Sequence, residues 1–134
     1  MKFLIDTHIL IWHFEKNEKL PKKVRKMISD KKNPTYFSSL TIFEIELKHK
    51  NRPDQMPYGG EELISYCKRY GFKELPLEIN HVLTFKTLKR KEGKPPHKDP
   101  FDNLMLAQAI SEEMLFITHD EHIAEYDCEN IFKV

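Results

Sequence analysis

The sequence predicts an α/β domain in which helices cover both faces of a central parallel sheet. Strand-like and helix-like segments alternate along the chain, and this alternation is typical of three-layer α/β/α folds. The chain has 134 residues, of which 40% are hydrophobic and 32% are charged. This length and composition suit one globular domain with a buried core. We therefore expect residues 1–134 to form a single domain.

Each predicted element has a local signal in the sequence. Apolar runs too short for helices predict strands at 2–5, 35–37, 72–77, 115–118 and 131–134. Helical spacing and helix-forming composition predict helices over 8–14, 20–28, 39–50, 61–70, 79–88, 100–113 and 119–126. Ser38 or Ser39 suits the N-cap of the third helix, and Gly71 ends the fourth. Proline, glycine and charged residues predict loops at 52–60 and 89–98.

The charge of the chain is balanced overall but unevenly distributed. The net charge is +1, whereas residues 16–32 carry +6 and residues 86–98 carry +5. A balanced total excludes a histone-like basic protein and an acidic tail. The two basic stretches fit either contacts with a polyanion or ordinary solvated surfaces.

Membrane and secretory features are not expected. No apolar run approaches the roughly 20 residues of a membrane helix, and the opening MKFLID lacks the apolar length of a signal peptide. Cys67 and Cys128 are too few for a disulfide scaffold or a four-thiolate zinc site. We therefore expect a cytoplasmic protein with free thiols and no membrane partner.

Four carboxylates fall at positions that the predicted fold brings to one edge of the sheet. Asp6 follows the first strand and Asp120 lies two residues beyond the fourth. Asp102 lies in the first turn of the apolar helix 100–113, and Glu44 lies on the helix that follows the second strand. Ligands bind outside the carboxyl ends of parallel strands. We therefore expect these four acids to form one cluster.

The helix that carries Glu44 is expected to turn this carboxylate partly inward. At 100° per residue, Leu40, Phe43 and Leu47 form one apolar stripe, and Glu44 lies beside it. Clustered acids without matching cations repel one another, and a divalent metal resolves this repulsion. Oxygen-only ligands suit Mg²⁺ or Mn²⁺.

The same acids also fit purely structural roles. Asp6 and Asp120 suit helix N-caps after strands. Asp99 followed by Pro100 forms a capping pattern at the start of the next helix, and Glu44 is one turn from Lys48, a spacing that favours an ion pair. His97 fits either a hydrogen-bond donor behind the acids or a core residue.

Four motifs, in this order, resemble the PIN domain family, most closely the VapC-like toxins of type II toxin–antitoxin systems. They are DTHILIW at 6–12, SLTIFEI at 39–45, HKDPFD at 97–102 and THD at 118–120. The resemblance implies a PIN-like α/β/α domain over residues 1–134. It differs from the family pattern at Phe43, where relatives often have Trp, and at Asn103, where a basic residue is common.

The resemblance also implies an activity and its residues. It implies an Mg²⁺- or Mn²⁺-dependent endoribonuclease that acts as a toxin, forms homodimers and is inhibited by a cognate antitoxin. The family's acidic quartet corresponds to Asp6, Glu44, Asp102 and Asp120. Asp6, Asp102 and Asp120 would hold the metal, and Glu44 would be a further ligand or orient water. The supporting residues would be Thr7, Thr118, His97 and Asp99.

The basic loop before Asp99 is a candidate for RNA contacts, because it precedes the acids directly. Its candidate residues are Lys89, Arg90, Lys91, Lys94 and Lys98. Contacts with phosphates would be sensitive to salt and independent of RNA sequence. Two other functions stay open at this point: a catalytically silent module that binds RNA or protein, and a metal-dependent DNA nuclease or phosphatase.

Overall fold

Five short parallel strands form one sheet. The computed structural model describes residues 1–134, and the strands are β1 (Phe3–Ile5), β2 (Thr35–Ser38), β3 (Lys73–Leu75), β4 (Leu115–Thr118) and β5 (Ile131–Lys133). Their order is β3-β2-β1-β4-β5, and every neighbouring pair is parallel. The strand order reverses between β1 and β4, so their carboxyl ends frame the crevice where such sheets bind ligands.

Six helices connect and cover the strands. They are α1 (Thr7–Glu15), α2 (Lys22–Ser29), α3 (Ser39–Asn51), α4 (Gly60–Tyr70), α5 (Ile79–Thr84) and α6 (Pro100–Ser111). None of them combines the length and apolar composition that a bilayer-spanning helix needs.

Two of the predicted helices are wrong in part. The predicted helix over 79–88 is α5 followed by one 3₁₀ turn at Phe85–Thr87, and the predicted helix over 119–126 is only a 3₁₀ turn at Ile123–Glu125. In the second case the Asp120 side chain accepts a hydrogen bond from the backbone N–H of His122 (2.7 Å). Such a local side-chain bond competes with helical hydrogen bonding and favours a turn.

Apolar residues pack on both faces of the sheet, which confirms the predicted three-layer architecture. In β1, Phe3 and Ile5 belong to one buried cluster, and Leu4 belongs to another. Successive strand residues point to opposite faces, so the two clusters lie on opposite sides of the sheet. The first includes residues of α1, α2 and α4, and the second includes much of α6.

The predicted apolar stripe of α3 is wrong beyond its first member. Leu40 is buried, but Phe43 is 55% exposed and Leu47 is also exposed. The buried face of α3 instead includes Thr41 and Ile45. Thr41 is accommodated there because its hydroxyl has partners, which include the Met105 sulfur at 3.4 Å.

Candidate active site

Asp6 is held at the carboxyl end of β1 by both of its carboxylate oxygens. One oxygen accepts a hydrogen bond from the Ile9 N–H (3.2 Å) and so caps α1. The other accepts a hydrogen bond from the hydroxyl of Thr118, the last residue of β4. Burial raises the pKa of Asp6, and the bond from Thr118 opposes that rise. The predicted N-cap role is therefore present, and it coexists with a place in the acidic cluster.

Thr118 connects Asp6 to a second acid. Its hydroxyl oxygen accepts a hydrogen bond from the backbone N–H of Asp120 (3.0 Å) while donating to Asp6. Asp120 uses its Oδ1 to accept from the His122 N–H. Its Oδ2 lies 3.9 Å from the Nε2 of His97.

The first turn of α6 supplies two further carboxylates. Asp99 is the N-cap and accepts from the N–H groups of Phe101 (2.9 Å) and Asp102 (3.3 Å). Burial and the hydrogen bond to Asp120, together with nearby negative charge, raise the pKa of Asp102 to about 8. Burial alone would raise the pKa of Asp120, but the bonds from Asp102 and the His122 N–H lower it. The pKa values of the two acids are therefore shifted in opposite directions, as expected for carboxylates that lie close together.

Glu44 reaches the same site from α3. Its side chain is only 15% exposed, and its Oε2 accepts a hydrogen bond from the Lys48 ammonium at 2.9 Å. Its Oε1 accepts from the Thr7 hydroxyl at 2.8 Å. The ion pair expected from the sequence spacing is thus present, and it fixes the carboxylate at the edge of the acidic cluster.

These groups line one small pocket of about 150 Å³ that has no hydrophobic side chain. Its lining residues are Asp6, Thr7, His8, Glu44, Lys48, Asp99, Asp102 and Asp120. The structure therefore brings the four predicted acids together, with Thr7 and Asp99 beside them. Five carboxylates face one lysine, and this excess of negative charge suits a divalent cation. The spacing of Lys48 from Glu44 equally suits a surface ion pair, so sequence reasoning missed that Lys48 lines the pocket.

His97 lies against the acids as well. Its Nε2 is 3.1 Å from Asp102 Oδ2. One donor atom each from His97, Asp102 and Asp120 lie within 4.8 Å of one another, close enough to hold one metal ion together.

The five basic residues proposed from the sequence for RNA contact divide into two groups. Arg90 is largely buried: its guanidinium donates to the carbonyls of Pro95 and His122 and lies 4.5 Å from the centre of the Tyr126 ring. Lys94 pairs with Glu125 at 3.3 Å. The side chains that stay exposed without an ion pair are Lys89, Lys91 and Lys98.

A larger groove opens beside the acidic pocket. It has a volume of about 550 Å³, and its lining residues are His8, Ile11, Leu47, Lys48, Asn51, Arg52, Gln55 and Met56. His8 and Lys48 line both cavities, and no carboxylate lines the groove. Sequence reasoning missed this groove because its walls come from α1, α3 and the following loop, which no single motif spans.

Comparisons with known proteins agree with this architecture. The family model described as PIN domain matches residues 3–128. A comparison of the sequence with curated proteins finds no significant match. Solved structures, however, share the fold.

Three of these structures are toxin–antitoxin complexes. VapBC2 from Rickettsia felis bound to a promoter DNA fragment has a TM-score of 0.70 at 15% identity, covering 100% of this chain and 98% of that chain. VapBC-1 from nontypeable Haemophilus influenzae has a TM-score of 0.58 at 19% identity, covering 90% and 87%. A toxin–antitoxin complex from Klebsiella pneumoniae has a TM-score of 0.57 at 16% identity, covering 98% of both chains. At 15–19% sequence identity, these structures show only that the fold is shared. The PIN domain model matches the sequence itself over residues 3–128, which is most of the chain. The chain belongs to the PIN domain family.

Proposed function

We propose that the protein is a divalent-cation-dependent endoribonuclease and the toxin of a toxin–antitoxin pair. The observation that carries this proposal is the convergence of five carboxylates and one lysine on a single small pocket at the sheet's switch point. Membership of the PIN domain family agrees with it. Mg²⁺ or Mn²⁺ is the proposed cofactor, because carboxylate oxygens are the ligands that both ions prefer.

The pocket residues would have different roles in phosphodiester cleavage. When bound, a divalent cation lowers the pKa of water and offsets negative charge on the phosphate. Asp6, Asp102 and Asp120 would hold that ion. Asp6 is already oriented for this by the Thr118 hydroxyl, so little side-chain freedom is lost when the ion binds.

Glu44 would orient the attacking water. Its two hydrogen bonds, from Thr7 and Lys48, hold the carboxylate in one position. Lys48 also places a positive charge beside the pocket, where it would attract the phosphate of the substrate. In-line attack by water would leave a 3′-hydroxyl and a 5′-phosphate, as the family resemblance implies.

RNA is the proposed substrate, and the groove beside the pocket supports an extended one. The groove shares His8 and Lys48 with the acidic pocket, and it adds Arg52 as a second cation. A single-stranded chain lying there would place phosphates near Lys48 and Arg52. In the loop that precedes Asp99, Lys89, Lys91 and Lys98 offer exposed charges for phosphates.

A cognate antitoxin and a second copy of this chain are the proposed partners. Structural neighbours of the chain include toxin–antitoxin complexes, and an antitoxin would bind this chain in the same way. For the homodimer, the segment from α5 through the 3₁₀ turn exposes Ile79 (75%), Leu83 (56%) and Phe85 (45%). An apolar face of this kind is typical of an association surface. We place the activity in the cytoplasm, where an RNA-cleaving toxin would meet its substrate.

The purified protein tests the proposal directly. Labelled single-stranded RNA, single-stranded DNA and a phosphomonoester are each incubated with Mg²⁺, with Mn²⁺ and with a chelator. We expect cleavage of RNA only, dependent on the cation, and lost in Asp6→Asn and Asp102→Asn. Glu61→Gln is the matched control, since it removes the same charge from the exposed first turn of α4. RNA cleavage that survives both pocket substitutions, or that proceeds in chelator, would refute the assignment.

A further inference from the structure

The imidazole of His97 does not line the acidic pocket, but it lies against two of the pocket's carboxylates. The His97 side chain is 11% exposed, and its Nε2 lies 3.1 Å from Asp102 Oδ2 and 3.9 Å from Asp120 Oδ2. In an octahedral site with bonds of about 2.1 Å, neighbouring donor atoms are about 3.0 Å apart and opposite ones about 4.2 Å apart. The shorter separation matches neighbouring donors and the longer one is near the value for opposite donors, and all three donor atoms lie within 4.8 Å of one another.

The backbone around His97 is fixed in this position. The Asn103 amide donates a hydrogen bond to the His97 carbonyl at 2.8 Å. Asn103 is buried, and its own side-chain oxygen accepts a hydrogen bond from the Tyr126 hydroxyl. A position where a basic residue is common in the family is thus used here to anchor the loop that carries His97.

The imidazole itself is free to act as a ligand. Its ring stacks on His122, with the ring centres 5.4 Å apart, and its one side-chain hydrogen bond is made by Nε2 to Asp102. In that hydrogen bond Nε2 carries the ring proton, because an ionised carboxylate only accepts. Nδ1 has no protein partner, so the proton can reside there instead when an ion takes the Nε2 lone pair.

We propose that His97 is a nitrogen ligand of the catalytic ion, so that the centre is a mixed histidine–carboxylate site that favours Mn²⁺ over Mg²⁺. This rests on the proposed function, which supplies the ion, but it assigns His97 a role different from that of a supporting donor. Imidazole binds transition ions well, whereas Mg²⁺ prefers oxygen ligands. Loss of the imidazole should therefore weaken Mn²⁺ binding much more than Mg²⁺ binding.

His97→Gln separates a ligand from a supporting donor. The glutamine amide can still donate a hydrogen bond to Asp102, but it offers no imidazole nitrogen. His122→Gln is the matched control, because His122 is the neighbouring imidazole and its recorded ion pair is with Glu125 rather than with a pocket acid. Circular dichroism of each variant establishes that it is folded.

Calorimetric titration with Mn²⁺ and with Mg²⁺ gives the first readout, and pulsed EPR of the Mn²⁺-loaded protein gives the second. We expect ¹⁴N hyperfine coupling in the wild type and in His122→Gln, and its loss in His97→Gln. We also expect His97→Gln to lower Mn²⁺ affinity at least about tenfold, since the loss of outer partners alone has an effect of that size, with Mg²⁺ affinity little changed.

Three results would overturn the inference: no nitrogen coupling in the wild type, coupling retained in His97→Gln, or an equal loss of affinity for both ions. None of these bears on whether RNA is cleaved. Conversely, a wild type that shows nitrogen coupling but cleaves no RNA would remove the proposed function and leave the histidine ligand in place.

Discussion

Acidification should destabilise the fold through His13, a fully buried imidazole on α1. Its Nδ1 lies 2.6 Å from the Tyr66 hydroxyl, and its Nε2 lies 3.3 Å from the Ser29 hydroxyl. Burial, aided by the nearby Arg25 charge, lowers the pKa of His13 from 6.5 to about 4. The ring is therefore neutral in the folded protein at neutral pH.

The sign and size of the effect follow from this pKa. Between about pH 6.5 and about pH 4 the unfolded chain binds a proton at His13 that the folded protein does not bind, so lowering the pH favours unfolding. The contribution of neutral His13 to stability is fully present above the pKa that His13 has in the unfolded chain. This contribution is lost as the pH falls towards the lower pKa that His13 has in the folded protein. At about 1.4 kcal/mol per pKa unit, the loss approaches about 3 kcal/mol near pH 4 and is about 2 kcal/mol near pH 5.

Urea unfolding at a series of pH values measures this loss, with His13→Gln as the reference. Glutamine has no charge to gain, and the acidic residues contribute similarly to both proteins. The free energy of unfolding should fall faster with decreasing pH in the wild type than in His13→Gln. Between about pH 7 and about pH 5, the wild type should lose about 2 kcal/mol more of this free energy than the variant does. If the free energy of unfolding depends on pH in the same way in both proteins, burial does not lower the pKa of His13 and the reasoning is refuted.

Three further predictions concern the site and its surfaces. Mn²⁺ at about one hundred times its Kd should stabilise the wild type by about 2.7 kcal/mol and raise its Tm by several degrees; an equal rise in Asp120→Asn would contradict the proposed metal site. Lys98→Gln should reduce the slope of log affinity for RNA against log salt by about one, whereas Lys23→Gln on α2 should leave it unchanged; identical slopes in all three proteins would argue against the basic loop. For the proposed homodimer, we expect a wild-type dimer in light-scattering measurements and a Leu83→Glu monomer, because a charge cannot be buried there unpaired; a wild type that is already monomeric would refute the proposed dimer face.

The position of the acids could be predicted from the sequence because the topology determines it. Asp6 and Asp120 each follow a strand, and the carboxyl ends of parallel strands share one edge of a sheet. Asp102 required only the recognition that α6 begins at the same edge. For these three acids, local sequence and the rules of α/β folds were sufficient.

Glu44 reached the pocket although the helical pattern used to place it was wrong. The predicted apolar stripe placed Phe43 and Leu47 on the buried face of α3, but both are exposed. Thr41 is buried instead, because its hydroxyl is hydrogen-bonded. Hydrophobic periodicity ranks residues by polarity alone and does not detect such tertiary hydrogen bonds. The contact between His97 and Asp120, and the groove beside Lys48, likewise depend on distant segments that meet only in the folded chain.

The Thr118 hydroxyl joins segments separated by 112 positions in the sequence. During synthesis, Asp6 therefore leaves the ribosome long before the residue that orients it, and β1 lacks its neighbour β4 until most of the chain has been made. A nascent chain therefore has no complete pocket until β4 and Asp120 have been made.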